Sequence, residues 1–139
     1  MKNITLFLMT AIIAVMLSGC NKHEDYTSDQ MPDLYQTRWE GKLIHTKYGV
    51  EKEYAVLIEF RDKFDHGMKY SITSSDGSVN YNKMGSYEQN KGWKYIYLAT
   101  YDGILCDGNY WVLPHAESKL RMENRDAGQS ILLDLNRLN

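Results

Sequence analysis

The sequence has few cysteines, few prolines and no excess of charge of either sign. Of its 139 residues, two are cysteine and two are proline, and the formal net charge is −2. Two cysteines cannot form the disulfide framework of a small secreted scaffold. A nearly neutral chain also lacks a general basic surface for binding nucleic acid, so we expect no nucleic-acid partner. The length and the 43% hydrophobic content are typical of one globular domain.

The first twenty residues hold a disproportionate share of the aliphatic side chains. Lys2 precedes an apolar run, Ile4 to Leu17, that contains no charged residue. At roughly 14 residues this run is too short to span a bilayer, which needs about 20, and it matches the apolar region of a secretory signal. We interpret residues 1–19 as a signal peptide. The alternative, a buried core helix, lacks an amphipathic stripe.

The apolar run ends in Leu17-Ser18-Gly19-Cys20, which resembles the lipobox of bacterial lipoproteins. The resemblance implies that Cys20 is lipidated and becomes the first mature residue. Two or three acyl chains, at about 0.8 kcal/mol per buried CH₂, would hold such a protein stably in a membrane. Residues 20–33 are polar and lack an apolar period, so we expect a flexible tether. The charged stretch directly after Cys20 is either part of that tether or, by its similarity to Bacteroidetes lipoproteins, a surface-export signal.

From Leu34 onward the dominant period is two. Apolar and polar residues alternate in Thr37–His45 and in Glu53–Arg61, and both segments are rich in β-branched and aromatic residues. Further strands are expected within 69–74, 79–88, 93–100, 110–113, 120–122 and 131–135, with turn signals such as Asp76-Gly77 between them. No segment shows a convincing helical spacing. The sequence therefore predicts an all-β antiparallel fold.

About eight successive strands would leave two exposed sheet edges, which closure of the sheet removes. We therefore predict an up-and-down barrel over residues 34–139, with an open barrel or a β-sandwich as the alternative. A barrel of eight strands can either be packed solid or hold one small ligand.

Trp39 and Gly41 in the first strand, together with the terminal alternation Leu133 to Arg137, resemble the small lipocalin-like domains of Bacteroidetes lipoproteins. The resemblance implies that the first-strand tryptophan closes one end of the barrel and that a basic residue of the last strand covers it. Trp39 and Arg137 fit these positions, and a cation–π stack between them would contribute about 0.5–2 kcal/mol. The glycine that the family usually has shortly before the tryptophan is replaced here by Gln36-Thr37-Arg38.

The residues that could carry chemistry form no recognisable motif. The four histidines lack the spacing of metal ligands, and nothing in the sequence brings His45, His115 and Cys106 together. Asp62, Asp65 and His66 lack the spacing of a calcium loop. The apolar residue before Cys106 suggests a small buried thiol rather than an activated one. We therefore expect no metal, no cofactor and no enzymatic activity.

The 11 tyrosines and 3 tryptophans are the remaining distinctive feature. Such side chains either fill a core or line a binding site, because each has an apolar face and a polar atom. The aromatic residues expected to fill the core are Trp39, Tyr54, Trp93, Tyr95 and Trp111.

Two functions are consistent with these observations. The first is a non-enzymatic lipoprotein of the outer membrane whose barrel binds a small apolar or amphipathic ligand, lined by Tyr54, Tyr70, Tyr95 and Trp111. The alternative is an accessory or inhibitory lipoprotein that binds another envelope protein through the loops Asp62–Met68 and Tyr101–Asn109. A cavity of roughly 300 Å³ or more favours the ligand, and a solid barrel favours the protein partner.

Overall fold

A computed structural model of the chain shows a closed antiparallel β-barrel. It describes residues 31–61, 67–100, 106–116 and 118–139. The strands are β1 (Thr37–Lys47), β2 (Val50–Phe60), β3 (Gly67–Ser74), β4 (Asn80–Asn90), β5 (Tyr95–Ala99), β6 (Gly108–Leu113), β7 (Lys119–Asp126) and β8 (Gln129–Arg137). Each strand pairs with the next, and β1 also pairs with β8. The predicted barrel of eight strands is confirmed, and the open-sheet alternatives are wrong.

Side chains at every second strand position fill the barrel, as the period-two pattern predicts. Trp39 and Leu43 of β1 lie opposite Ile58 and Tyr54 of β2, and all four are buried. Full burial of one large apolar side chain stabilises the fold by about 1.5–3 kcal/mol. The other buried core residues are Leu34, Val56, Phe60, Met68, Tyr70, Ile72, Tyr87, Ile96, Leu98, Cys106, Tyr110, Leu120, Met122, Ile131, Leu133 and Leu135.

The two ends of the barrel differ in what closes them. At the N-terminal end, where β1 begins and β8 ends, Leu34 is completely buried and Met31 packs against the core. The hydroxyl of Thr37 donates to the carbonyl of Leu34 and accepts the indole N–H of Trp39 at 2.7 Å. At the opposite end, the turn end, three hairpin turns connect β1–β2, β3–β4 and β7–β8. Among the described residues, core contacts thus begin at Met31, three residues before the domain start expected from the sequence.

Trp39 and Arg137 meet where the first and last strands pair. The two residues lie opposite each other in the β1–β8 register. The guanidinium carbon of Arg137 is 5.8 Å from the centroid of the Trp39 ring, which is within cation–π range. This contact has the geometry that the lipocalin-like resemblance implies.

Gly41 allows β8 to approach β1 closely. A Cβ atom at this position would lie 2.0 Å from the backbone oxygen of Asp134. Any side chain would therefore force the two strands apart, and closure of the barrel requires glycine here. None of the described residues forms a helix long and apolar enough to cross a membrane.

Candidate functional site

The barrel wall is incompletely paired between β6 and β7. Their register contains three pairs, from Leu113↔Arg121 to Trp111↔Glu123. Beyond Trp111, residues 108–110 pair only with β5 and residues 124–126 pair only with β8 among the described residues. The backbone polar groups that face each other here form no ladder. We call this gap the seam.

Gly108 and Asn124 explain the local shape of the seam. Gly108 has φ +130, a conformation that L side chains rarely adopt. A Cβ on Gly108 would also lie 2.3 Å from the side-chain nitrogen of Asn124. The amide of Asn124 therefore packs directly over the Gly108 backbone, and a side chain at position 108 would have to displace it.

A groove of about 660 Å³ lies along the seam, which is within the size range of small-molecule sites. Its walls come from both faces of the barrel, since Tyr95 and Trp111 point outward whereas Ile131 belongs to the buried core. We call it the seam groove. It is lined by Tyr95, Asp107, Gly108, Asn109, Trp111, Asn124, Arg125, Asp126, Gln129, Ser130 and Ile131.

An aromatic pair forms the apolar part of the seam groove. Tyr95 and Trp111 are opposite each other in the β5–β6 register, and their rings make an edge contact at 5.8 Å and 67°. Such pairs contribute about 0.5–1.5 kcal/mol beyond burial. Trp111 nevertheless remains 54% exposed. Its indole is therefore held in place by Tyr95 and still open to a ligand.

These positions correct the expectation that Trp93, Tyr95 and Trp111 fill the barrel. Trp93 is 73% exposed in the turn before β5. The inward positions of β5 are occupied by Ile96 and Leu98, which lie opposite Tyr110 and Gly108 of β6. The cause is the register of β5 with β6, which assigns the aliphatic face of β5 to the interior and the aromatic face to the outside.

Tyr54 and Tyr70, the other two residues expected to line a ligand site, lie away from the seam groove. Both are buried in the core, Tyr54 on β2 and Tyr70 on β3, and neither lines the seam groove. The four residues predicted to line a ligand site are therefore divided between two places. Tyr95 and Trp111 lie together on the outer wall, whereas Tyr54 and Tyr70 contribute to the packed interior.

Each charged side chain of the seam groove already has a partner in the protein. Asp107 accepts hydrogen bonds from the backbone N–H of Thr100 at 2.7 Å and from its hydroxyl at 3.3 Å. Asp126 accepts the backbone N–H of Ala127 at 2.7 Å. The Nε of Arg125 lies 2.9 Å from a carboxylate oxygen of Glu123. The donors to both carboxylates are neutral, so Asp107 and Asp126 keep their negative charge, whereas the charge of Arg125 is paired with that of Glu123.

Unlike the charged side chains, two side-chain amides of the seam groove, those of Asn109 and Asn124, have no partner among the described residues. Asn109 is exposed on β6 and Asn124 lies across the seam on β7. Neither side-chain amide hydrogen-bonds to another described residue. Each amide offers two donors and one acceptor oxygen. Asn124 was not among the residues expected from the sequence. The detectable signal was the Asp107-Gly108 pair, which marks the start of β6, where the Asn124 amide packs.

The buried nucleophilic groups lie in the core. Cys106 is completely buried, and burial raises the pKa of its thiol to about 12, so it is protonated at neutral pH. This agrees with the small buried thiol expected from the sequence. The hydroxyl of Tyr110 is also buried, and among the described residues it has no hydrogen-bond partner. Burial raises the pKa of Tyr110 well above its usual value.

The two described histidines are far apart in the barrel. His45 is near the turn end, where its ring nitrogen contacts Gln129 at 3.4 Å. His115 is buried at the β6–β7 connection at the N-terminal end, and its Nδ1 is 2.8 Å from the carbonyl of Leu113. Within residues 31–61, 67–100, 106–116 and 118–139, no group of three His, Cys, Asp or Glu residues is placed to hold a metal ion.

Two further grooves open on the outside of the barrel. One, of about 540 Å³, crosses the outer face of β1 to β3 and β8, where Lys42 pairs with Glu53 at 2.8 Å. The other, of about 630 Å³, lies at the N-terminal end beside Arg38, Glu59 and Arg61. Exposed ion pairs of this kind contribute little to binding or stability, and neither groove contains an aromatic pair. The seam groove is therefore the best candidate site.

Several predictions concern residues outside the described ranges. These include the signal peptide, Cys20 and most of the tether, together with most of both loops proposed to bind a protein, Asp62–Met68 and Tyr101–Asn109. Comparison of the chain with protein families, with curated proteins and with solved structures found no match.

Proposed function

We propose that this chain is a lipid-anchored, non-enzymatic lipoprotein of the cell envelope that binds a small amphipathic ligand in the seam groove. The observation that carries the ligand part is the combination of an exposed, supported indole with unbonded amides in a groove of about 660 Å³. An aromatic face and a few convergent polar groups are the usual lining of small-molecule sites. The packed middle of the barrel supports an external site rather than a luminal one.

The anchor part of the proposal rests on the sequence of residues 17–20 and on the fold. All eight strands and their closing contacts lie at or after Thr37, so cleavage before Cys20 leaves the barrel complete. The lipobox resemblance supports an anchor in a bacterial envelope, and the similarity to Bacteroidetes lipoproteins favours the outer membrane. The protonated Cys106 supports a non-enzymatic role, because a thiol with a pKa of about 12 is a poor nucleophile.

Membrane fractionation tests the anchor. We expect Cys20→Ser to move the protein from the membrane to the soluble fraction, because it removes the only thiol in the lipobox. Cys106→Ser is the matched control, since it changes the other cysteine and should leave the protein in the membrane. Retention of Cys20→Ser in the membrane would show that the acyl chains are not the anchor.

Native mass spectrometry of the protein from its own organism tests ligand binding. We expect a bound small molecule on the wild-type chain and its loss from Trp111→Ala. Trp93→Ala is the matched control, because Trp93 is exposed but does not line the seam groove. A ligand that stays bound to Trp111→Ala would place the site elsewhere, and mutation of Tyr54 would then test the interior.

The second candidate function is binding to another envelope protein. It is favoured by the outer face of β5 and the turn before it, where Trp93 and Tyr97 are exposed, because exposed aromatic residues are enriched at protein interfaces. Cross-linking in intact cells tests it. A partner that is lost from both Trp93→Ala and Tyr97→Ala would support this function over the ligand.

A further inference from the structure

We infer that the ligand of the seam groove is a neutral saccharide. This inference rests on the proposed ligand-binding function and names the chemical class of the ligand. Three properties of the groove point to this class: a lining that disfavours anions, the unbonded amides, and the exposed indole of Trp111.

The charges of the seam groove disfavour an anionic ligand. Phosphates and carboxylates are bound by arginine, lysine or helix N-termini. Arg125 is the cationic side chain of the lining, and its Nε already contacts Glu123. Asp107 and Asp126 keep their negative charge, because their hydrogen-bond donors are neutral. An anion would therefore meet two carboxylates, and a ligand without negative charge is favoured.

The amides select a ligand that both donates and accepts. Asn109 and Asn124 each present an NH₂ group and a carbonyl oxygen that are not used by other described residues. A sugar hydroxyl is donor and acceptor at once, so two neighbouring hydroxyls can bond to one amide. The backbone groups along the unpaired part of the seam offer further donors and acceptors of the same kind.

The indole accounts for the apolar side of the same ligand. A pyranose ring has one face of C–H groups and an edge of hydroxyls, and the C–H face packs flat on an aromatic ring. Trp111 is open for such a contact, and the edge contact with Tyr95 fixes its orientation. A fatty acid would need a longer apolar wall, because only Tyr95, Trp111 and Ile131 of the lining residues have apolar side chains.

A glycan array tests the inference, followed by calorimetric titration of the best neutral oligosaccharide. The full chain is used in a zwitterionic detergent without a sugar headgroup, so that the detergent does not compete. We expect binding to neutral glycans and, for Trp111→Ala, a loss of affinity of about tenfold or more. Asn109→Ala should weaken binding about three- to tenfold, because it removes one hydrogen-bonding group. Trp93→Ala should bind like the wild-type chain.

The use of two groove variants keeps the inference testable if Trp111→Ala misfolds. Asn109 is exposed on β6, so Asn109→Ala should keep the fold even where Trp111→Ala does not. Thermal unfolding of each variant checks this directly. A saccharide that binds Trp111→Ala and Asn109→Ala as tightly as the wild-type chain would overturn the inference.

Two other outcomes separate this inference from the proposed function. In the first outcome, no saccharide binds, but laurate binds and shifts the indole N–H resonance of Trp111 in the NMR spectrum. This result would overturn the saccharide class and leave the proposed function standing. A preference for anionic glycans would do the same. Failure of neutral glycans, anionic glycans and laurate to bind would overturn both.

Discussion

Substitution of Gly41 by alanine should open the barrel where its first and last strands meet. The new Cβ would lie 2.0 Å from the Asp134 oxygen, whereas ordinary contacts at such positions begin at 3.4 Å. The strands must therefore separate locally by more than 1 Å, which is too far for N–H···O bonds of about 2.7–3.2 Å to survive. Overpacking and the loss of neighbouring ladder bonds together give a cost of about 3 kcal/mol in the free energy of unfolding.

Thermal and urea unfolding, followed by near-UV circular dichroism, measure this cost. A loss of about 3 kcal/mol should lower the Tm by roughly 10 °C in a domain of this size. Gly67→Ala is the matched control, because Gly67 has nothing within 4 Å of its Cβ position and its φ is not positive. The control should change stability by less than about 0.5 kcal/mol. Equal stability of the two variants would refute the proposed close approach of β8.

Three further predictions concern single side chains. Asp76 accepts hydrogen bonds from Ser74 and Ser78, which lower its pKa to about 2. Its contribution to stability is therefore present above about pH 4 and lost as the pH falls towards 2. Asp76→Asn should reduce the acid dependence of unfolding over this window, and an unchanged acid profile would contradict the assignment. In the Cys20→Ser variant, Cys106 should react with a thiol reagent at pH 8 only after unfolding, because it is buried and its pKa is about 12. Rapid modification of the folded variant would show that Cys106 is accessible. Tyr110→Phe should be neutral or stabilising by about 1 kcal/mol in urea unfolding, because it removes a buried hydroxyl that has no partner among the described residues. A clear loss of stability would reveal a bond that the hydroxyl makes.

The strands and the closure of the barrel could be predicted because both follow from local pattern. In β1 and β2 one face carries the large apolar side chains and the opposite face carries the charged ones, so alternation assigns Trp39 and Ile58 to the interior. The turn at Asp76-Gly77 is equally local, since Gly77 has φ +72 and the Asp76 carboxylate accepts the Ser78 N–H. Closure followed from the need to pair the two sheet edges.

The orientation of β5 and the position of the site could not be predicted in the same way. Both faces of β5 are apolar, with Ile96 and Leu98 on one and Tyr95 and Tyr97 on the other, so alternation does not say which face is inside. The inward face of β5 is decided by its pairing with β6, which is a contact between separate segments of the chain. The seam also depends on where the β6–β7 ladder stops, which no single segment encodes.

Closure by β1 and β8 determines when the protein can fold. The backbone N–H of Arg38 donates to the side-chain oxygen of Asn139, 101 positions along the chain, and the whole β1–β8 ladder joins segments nearly as distant. Folding rates fall as contacts become less local, and barrels of this kind fold in milliseconds to seconds. Until β8 has been synthesised, β1 has one unpaired edge and Trp39 lacks its cover. The barrel can therefore close only after nearly the whole chain has been synthesised, so its completion is a post-translational step.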